Sequence, residues 1–402
     1  MITLDQVRDA AERIAGVIRP TPVDRSDSLS LRAGRPVLLK PEHLQRTGSF
    51  KIRGAYNLIS RLPPDTAEVV AGSAGNHAQG VALAASLTGH RSTIFMPDNA
   101  PLPKVEATRA YGATVRFERG AVDEALDAAH RYAEETGAVY VPPFDHPLVI
   151  AGQGTIGLEL ATEAPDAEVV VVAIGGGGLI SGIAAALAHT RPGVRVIGVE
   201  AAGAAAVRAS LDAGRLVCLD RVATMADGIA AKSPCELTLA HIRDYVDDVV
   251  TVTEEEISQA ILLLLELAKS VVEPAGAVSL AAVLAGKVPG TGPAVAVLSG
   301  GNVDPLLLIK LIDHGLTAAG RYLLLRIVLD DRPGALATLT ESIAAMGLNV
   351  LSVEHHRSGV DLPLDHVEVL ITVETRDPAH RDEVVRTLRA AGYEVSSPNL
   401  LQ

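Results

Sequence analysis

Val169-Val170-Val171-Val172-Ala173-Ile174-Gly175-Gly176-Gly177-Gly178-Leu179-Ile180-Ser181-Gly182-Ile183-Ala184-Ala185-Ala186-Leu187 is the stretch on which the fold turns. It carries no charge and is nearly long enough to cross a bilayer. The four glycines in its middle break the membrane reading. A strand buried on both faces, a tight turn and a buried helix account for it better, and a parallel strand feeds its crossover helix in that way. Bare backbone at the start of a helix also favours an anion, through free N–H groups and the helix dipole. A glycine run is costly unless some such task requires it.

Working outward, short β-rich runs alternate with helical stretches from Pro36 to about Asn302. Val37–Leu39, Val69–Ala71, Thr93–Met96, Thr114–Phe117, Val139–Val141, Val169–Ile174, Val194–Val199, Val249–Val252 and Ala294–Leu298 read as strands. Ala78–Leu87, Val122–Thr136 and Glu254–Lys269 read as helices between them. That alternation predicts βαβ units and an open parallel sheet. Ahead of them Thr3 and Gln6 form a capping box, and Leu4, Val7, Ala11, Ile14 and Ile18 share one helix face, with Pro20 and Pro22 as the stop. After Gly315 the pattern changes. Leu316-Thr317-Ala318-Ala319-Gly320 reads as a linker. Tyr322–Leu329, Val350–His355, Val367–Thr375 and Tyr393–Ser396 then read as strands, and Pro333–Met346 and Pro378–Ala391 as helices. The order is βαββαβ, a ferredoxin-like unit. Asp377-Pro378 gives the second helix an N-cap and a first-turn proline.

Composition narrows the function. The chain has 402 residues, enough for two to three domains. Apolar residues make up 48% and charged residues 21%, which excludes disorder for most of it. A net charge of −13 and 3% aromatics leave neither a basic surface nor a stacking platform, so no nucleic-acid partner is expected. No membrane is expected either. Cys218 and Cys235 match neither a disulfide framework nor a zinc spacing. With an amphipathic N-terminus in place of a signal peptide, they point to a cytoplasmic location.

Four stretches carry chemistry. Lysine is scarce, and Lys51 has the most telling surroundings: Gly48-Ser49-Phe50-Lys51-Ile52-Arg53-Gly54-Ala55, small polar residues before it and a helix after. A surface lysine at a helix start would look similar. Ser73-Ala74-Gly75-Asn76-His77 joins a strand to a helix and suits a carboxylate or phosphate, or is a plain capped turn. Gly175–Gly178 is the anion cradle already described. Leu298-Ser299-Gly300-Gly301-Asn302 closes the last strand of the alternating region. All four stand at the carboxyl ends of predicted strands, where an open α/β sheet binds its ligand. Glu200 imitates the ribose-binding acid of a dinucleotide site, but no G-x-G-x-x-G register fits and no Gly-Lys-Ser/Thr follows.

Together these motifs resemble the pyridoxal-phosphate enzymes of the threonine dehydratase (threonine ammonia-lyase) and serine racemase group, over about residues 1–315 and in the right order. The tail resembles an ACT domain, with Asp331-Arg332-Pro333-Gly334-Ala335-Leu336 as its first turn. The resemblance implies an α/β fold: a two-lobed open parallel-sheet catalytic unit, tryptophan synthase beta-like and pyridoxal-phosphate fold type II, with a C-terminal ferredoxin-like ACT domain. It divides the chain into a catalytic domain over 1–315 with a small lobe at about 45–145, a linker over 316–321 and an ACT domain over 322–402.

It also assigns roles. Lys51 holds pyridoxal 5'-phosphate as a Schiff base and later acts as the base at Cα. Phe50 packs on the ring, Asn76 meets the ring hydroxyl, and Gly175, Gly176, Gly177, Gly178 and Leu179 cradle the phosphate. Ser299 meets the ring nitrogen, a weaker electron sink than a carboxylate would give. Ser73, Ala74, Gly75, Asn76 and His77 grip the substrate carboxylate. Asp227-Gly228-Ile229 and Glu273-Pro274 resemble further segments near the cofactor. Racemases of the group carry a serine acid/base where this chain has Ala74, so elimination from L-threonine is favoured. That yields 2-oxobutanoate, with L-serine giving pyruvate as a secondary reaction; a serine or threonine racemase or a β-replacement synthase is the alternative. Only Glu200 of the group's divalent-metal ligands is matched, so no metal is assigned, though a monovalent cation there stays open. The ACT domain implies an amino-acid effector such as isoleucine or valine, and a homodimer or homotetramer.

Overall fold

A computed structural model describes residues 1–318, 320–357 and 362–397. The chain divides into two units, Met1–Leu308 and Ile309–Gln402. Ten strands serve the first unit: β1 Asp24–Arg25, β2 Val37–Lys40, β3 Glu68–Gly72, β4 Arg91–Pro97, β5 Thr114–Glu118, β6 Val139–Tyr140, β7 Val169–Ala173, β8 Arg195–Ala201, β9 Asp248–Val252 and β10 Ala294–Val297. They form two sheets, ordered β1-β2-β10-β7-β8-β9 and β5-β4-β3-β6.

Every pairing among β2 to β10 is parallel. Each strand predicted in this unit is present, within two residues at either end. The sequence reading missed β1, which pairs antiparallel with β2 at the sheet edge. Two exposed residues, Asp24 and Arg25, carry no apolar pattern that would announce a strand.

The opening stretch is strand, turn and helix. Val169 to Ala173 are all buried. The helix Gly178–Thr190 follows, buried from Gly178 to Leu187. Its Ile180, Ile183, Ala184 and Leu187 pack with Val170 and Val172 into the core of the larger lobe. Each fully buried Val, Ile or Leu side chain among them contributes about 1.5–3 kcal/mol. Among the described residues no helix is long and apolar enough to cross a membrane. The core of the smaller lobe packs Ile52, Leu58 and Ile59 against Val69, Val81, Ile94 and Met96.

The second unit holds β11 Tyr322–Asp330, β12 Val350–His356, β13 His366–Glu374 and β14 Glu394–Ser396, ordered β12-β13-β11-β14 and antiparallel throughout. Helices Ala335–Ala345 and Pro378–Ala390 complete βαββαβ. Leu323, Leu325, Ile327 and Leu329 alternate inward along β11 and meet Val367, Val369, Ile371 and Val373. Asp377 caps the second helix through the His380 N–H at 2.8 Å. The linker reading changes at its start. Leu316, Thr317 and Ala318 continue the helix Pro305–Ala318, since neither Gly nor Pro interrupts 316–318. Ala319 of that linker and residues 398–402 of the tail lie outside the described residues.

Candidate active site

Three of the four singled-out turns sit at carboxyl ends of parallel strands: Ser73–His77 after β3, Gly175–Gly178 after β7 and Ser299–Asn302 after β10. They meet the Lys51 loop around a cavity of about 520 Å³. Phe50, Lys51, Ser73, Ala74, Gly75, Asn76, His77, Gly175, Gly176, Gly177, Gly178, Leu179 and Ser299 all line it. Asp227, Gly228, Ile229 and Glu273 line it too.

Lys51 opens the helix Lys51–Ile59. The loop before it is laced to the Ser299 loop: Phe50 N–H donates to the Ser299 carbonyl at 3.2 Å, and Ser49 bridges Gly300. Lys51 Nζ donates to the Pro143 carbonyl at 2.9 Å and lies 5.2 Å from the Phe50 ring centroid. Desolvation pulls its pKa down to about 8, against the pull of Glu273. An amine so lowered supplies its neutral form near physiological pH, as covalent catalysis requires.

His77 departs from a simple gripping role. Its Nε2–H donates to the Val141 carbonyl at 2.8 Å, and the side chain is buried. Desolvation, with Lys51 nearby, lowers its pKa to about 3, so the imidazole is neutral at all working pH. What the Ser73–His77 turn offers an anion is backbone at the start of the helix Asn76–Thr88. Ser73 Oγ accepts from the Gly75 N–H at 3.2 Å.

The glycine loop fits a phosphate for a steric reason. A Cβ at Gly176 would lie 2.2 Å from the Phe144 ring, and one at Gly178 would lie 2.8 Å from Phe144 Cβ. Gly177, at φ 90°, caps the helix Gly178–Thr190. The first-turn N–H groups there have no partner within the helix. A bare cradle, a desolvated lysine amine and a ring-sized space lined by Phe50 and Phe144 suit an aromatic aldehyde phosphate.

Residues 14–300 match the family of pyridoxal-phosphate dependent enzymes, and residues 323–392 match the ACT domain. The chain belongs to the pyridoxal-phosphate-dependent enzymes. Pyridoxal 5'-phosphate is its cofactor. It is 49% identical to an L-threonine ammonia-lyase of Thermotoga maritima, over 98% of this chain and 99% of that one. A solved threonine deaminase of Solanum lycopersicum superposes with a TM-score of 0.74 at 37% identity, covering 77% of this chain and 87% of the other. A solved maize serine racemase gives 0.74 at 38% identity, covering 79% and 98%. Within the family the chain therefore belongs with the threonine ammonia-lyases, which are carbon–nitrogen lyases.

Several residues of this enzyme's cavity carry no sequence signal. Pro143 and Phe144 enter from the loop after β6, and Leu126 from the helix Val122–Thr136. Lys104 Nζ reaches Asp227 Oδ2 at 2.7 Å, and Lys232 reaches Asp123, both across the mouth between lobes. Glu273 is buried beside Asn76, whose Nδ2 donates to it. Desolvation, reinforced by Asp227, raises the Glu273 pKa to about 7, while Asn76, Lys104 and Lys51 oppose the rise.

Glu200 lies elsewhere. Its two carboxylate oxygens accept the N–H groups of Val207 and Arg208, each at 2.8 Å, at the start of the helix Ala206–Ala213. Burial raises its pKa to about 7 against those two bonds. Among the described residues no group of three His, Cys, Asp or Glu is placed to hold a metal ion.

Proposed function

We propose that this enzyme deaminates L-threonine to 2-oxobutanoate and ammonia by β-elimination of water, with L-serine giving pyruvate as a slower reaction. The observation that carries this reading is a desolvated Lys51 sharing its cavity with Ala74, a side chain with no proton to exchange.

The cofactor, held by Lys51 until the substrate amine takes that amine's place, would supply the electron withdrawal that makes the substrate's Cα proton acidic. The protein does the rest. Gly175, Gly176, Gly177, Gly178 and Leu179 would hold the phosphate by backbone N–H groups, Phe50 would cover the ring, Asn76 would meet the ring hydroxyl and Ser299 the ring nitrogen. The turn Ser73, Ala74, Gly75, Asn76 and His77 takes the substrate carboxylate at its helix start, where the dipole favours an anion. Lys51 Nζ, whose proton affinity desolvation lowers so that a neutral fraction exists near physiological pH, takes the Cα proton. Ala74, at the position that racemases of the group fill with serine, supplies no proton to the second face. The β-hydroxyl leaves as water, its added hydrogen balanced by the proton taken from Cα, and the released enamine takes up one water to give the keto acid and ammonia.

The test is a keto-acid assay on L-threonine and L-serine beside chiral analysis of recovered serine. Threonine should give keto acid faster than serine, with serine's configuration retained. Racemisation of serine faster than keto-acid formation would establish the racemase reading instead.

We further propose that an amino-acid effector such as isoleucine or valine binds the ACT unit, near Gly334, whose αL backbone opens the helix Ala335–Ala345 with no atom against it. Deleting residues 321–402 should abolish the effector response. A response that survives the deletion refutes this assignment. Exposed Val350, Leu351 and Val353 on the edge strand β12 support assembly as a homodimer or homotetramer, checked by sedimentation.

A further inference from the structure

Asn302 is part of a turn that drew attention in the sequence, yet the mechanism gives it no task. Its Nδ2 donates to the Thr47 carbonyl at 2.7 Å and to Asn76 Oδ1 at 2.8 Å. Both hydrogens of its amide are therefore spent. Asn76 in turn donates one Nδ2 hydrogen to Glu273 Oε1. Its oxygen is occupied by Asn302, so one N–H is left over.

We propose that Asn302 is a positioning residue for the cofactor: anchored on the Thr47 backbone, it fixes the Asn76 amide so that Asn76 presents a donor to the ring hydroxyl. The direction of the relay comes from its first member. A backbone carbonyl only accepts, so Asn302 must turn its NH2 towards Thr47. That NH2 also faces Asn76, so Asn76 must turn its oxygen to Asn302. Rotating Asn76 by half a turn would set two half-buried NH2 groups against each other and strand a donor on each.

The surroundings are built for this chain of contacts. Thr47 has φ 64° and Gly48 φ 69°, two successive left-handed residues. For a β-branched threonine that conformation is an outlier, of a kind found at functional sites. It aims the Thr47 carbonyl at Asn302. A Cβ at Gly48 would lie 2.4 Å from Asn302 Oδ1, and one at Gly300 would lie 2.1 Å from Glu273 Oε1 and 2.9 Å from Asn76 Nδ2. Both ends of the relay thus rest on glycine backbone. The loop that carries Lys51 is tied in this way to the group that reads the ring edge.

The proposal rests on the seating of the cofactor described above. A simple staple between two loops would make the same contacts, so the test must separate the two. Asn302→Asp keeps the shape and removes both donors. It turns the Asn76 amide round, so that an oxygen faces the ring hydroxyl. Cofactor affinity by equilibrium dialysis should fall about tenfold. The visible absorption of the bound cofactor should shift, a change that loss of a staple alone would not produce. In an Asn76→Ala background, Asn302→Asp should change affinity less than about twofold, because its effect passes through Asn76. Equal losses in both backgrounds, or an unshifted spectrum, would overturn the relay and leave a staple. If Asn302→Asp fails to fold, Asn302→Ser enters the same cycle with the same expectations for affinity. A parent protein that binds no cofactor would remove the seating and the relay together, whereas normal binding by parent and Asn302→Asp alike removes the relay alone.

Discussion

Lys51 and Arg53 stand two residues apart at the start of one helix and meet opposite fates. Lys51 opens onto the cavity and has no carboxylate within salt-bridge reach among the described residues; desolvation drags it down to about 8. Arg53 is fully buried and surrounded by acids. It reaches Glu42 at 2.8 and 2.7 Å, Glu159 at 2.5 and 3.0 Å, and Thr155 Oγ1 at 3.0 Å. Lys40, also fully buried, joins through Glu159 at 2.7 Å and Glu163 at 2.9 Å. Burial works against Arg53's charge, but Glu42 and Glu159 outweigh it and raise its pKa further. Burial likewise pushes Glu159 up, and Arg53 and Lys40 pull it below its ordinary value. The lesson is general within this fold: a buried ion with partners is locked in its charged state, and one without is driven towards neutrality. The first serves the scaffold and the second serves the reaction.

The largest test of that contrast removes the two residues separately. Lys51→Ala should lower turnover by at least about 10³-fold while the protein keeps its fold, because a nucleophile and proton carrier are lost and no buried partner is stranded. Circular dichroism beside the keto-acid assay reads both. Arg53→Met should act through stability, costing about 3–5 kcal/mol in denaturant unfolding, because Glu42 is left buried and uncompensated. Any activity loss should follow the folded fraction. An Arg53→Met protein as stable as the parent would erase the distinction.

That distinction is only half visible in the sequence. The βα alternation is legible because a strand buried on both faces must be an apolar run, as Val169–Ala173 is. The turns are legible because Gly, Ser and Asn cluster where backbone must face a ligand. Ser73–His77, Gly175–Gly178 and Ser299–Asn302 are therefore short windows that can be read locally. Arg53 sits in such a window, yet its partners Glu42 and Glu159 stand 11 and 106 residues away, and nothing local distinguishes it from a surface arginine. The Asn76–Asn302 contact spans 226 residues. Phe144 and Lys104 enter the cavity from loops and helices with no motif of their own. Motifs show where backbone is special; only the fold shows which distant side chains complete it.

A finer test reads the same contrast as a stability slope in the cofactor-free protein. The Lys51 pKa is about 8 in the folded protein and 10.5 in the unfolded chain. Between these values the unfolded chain binds more protons, so stability should rise with pH across that window. Lys51→Met should flatten the rise. Glu159 runs the other way in cause: its folded value is depressed, so its contribution is present above 4.5 and lost as pH falls. Denaturant midpoints of parent and Lys51→Met measured across the alkaline window decide the point. Equal slopes would mean that Lys51 is not desolvated and that the contrast with Arg53 is one of geometry alone.

The smallest expected effect concerns Glu273, the acid that shares Lys51's cavity. Burial and Asp227 hold its folded pKa at about 7, against 4.5 unfolded. Here the folded protein binds more protons between the two values, so stability should decline as pH rises from 4.5 to 7, opposite in sign to the lysine slope. Glu273→Gln keeps the shape and should remove that decline. Above the window the variant should be the more stable of the two, since it buries no charge. Melting the cofactor-free proteins from acid to neutral pH checks this. A decline of the same size in Glu273→Gln would place the titrating group elsewhere. The two slopes, of opposite sign and owned by two residues of one cavity, would show that the site as a whole is held away from its charged state, whereas the Arg53 cluster behind it is held in its own.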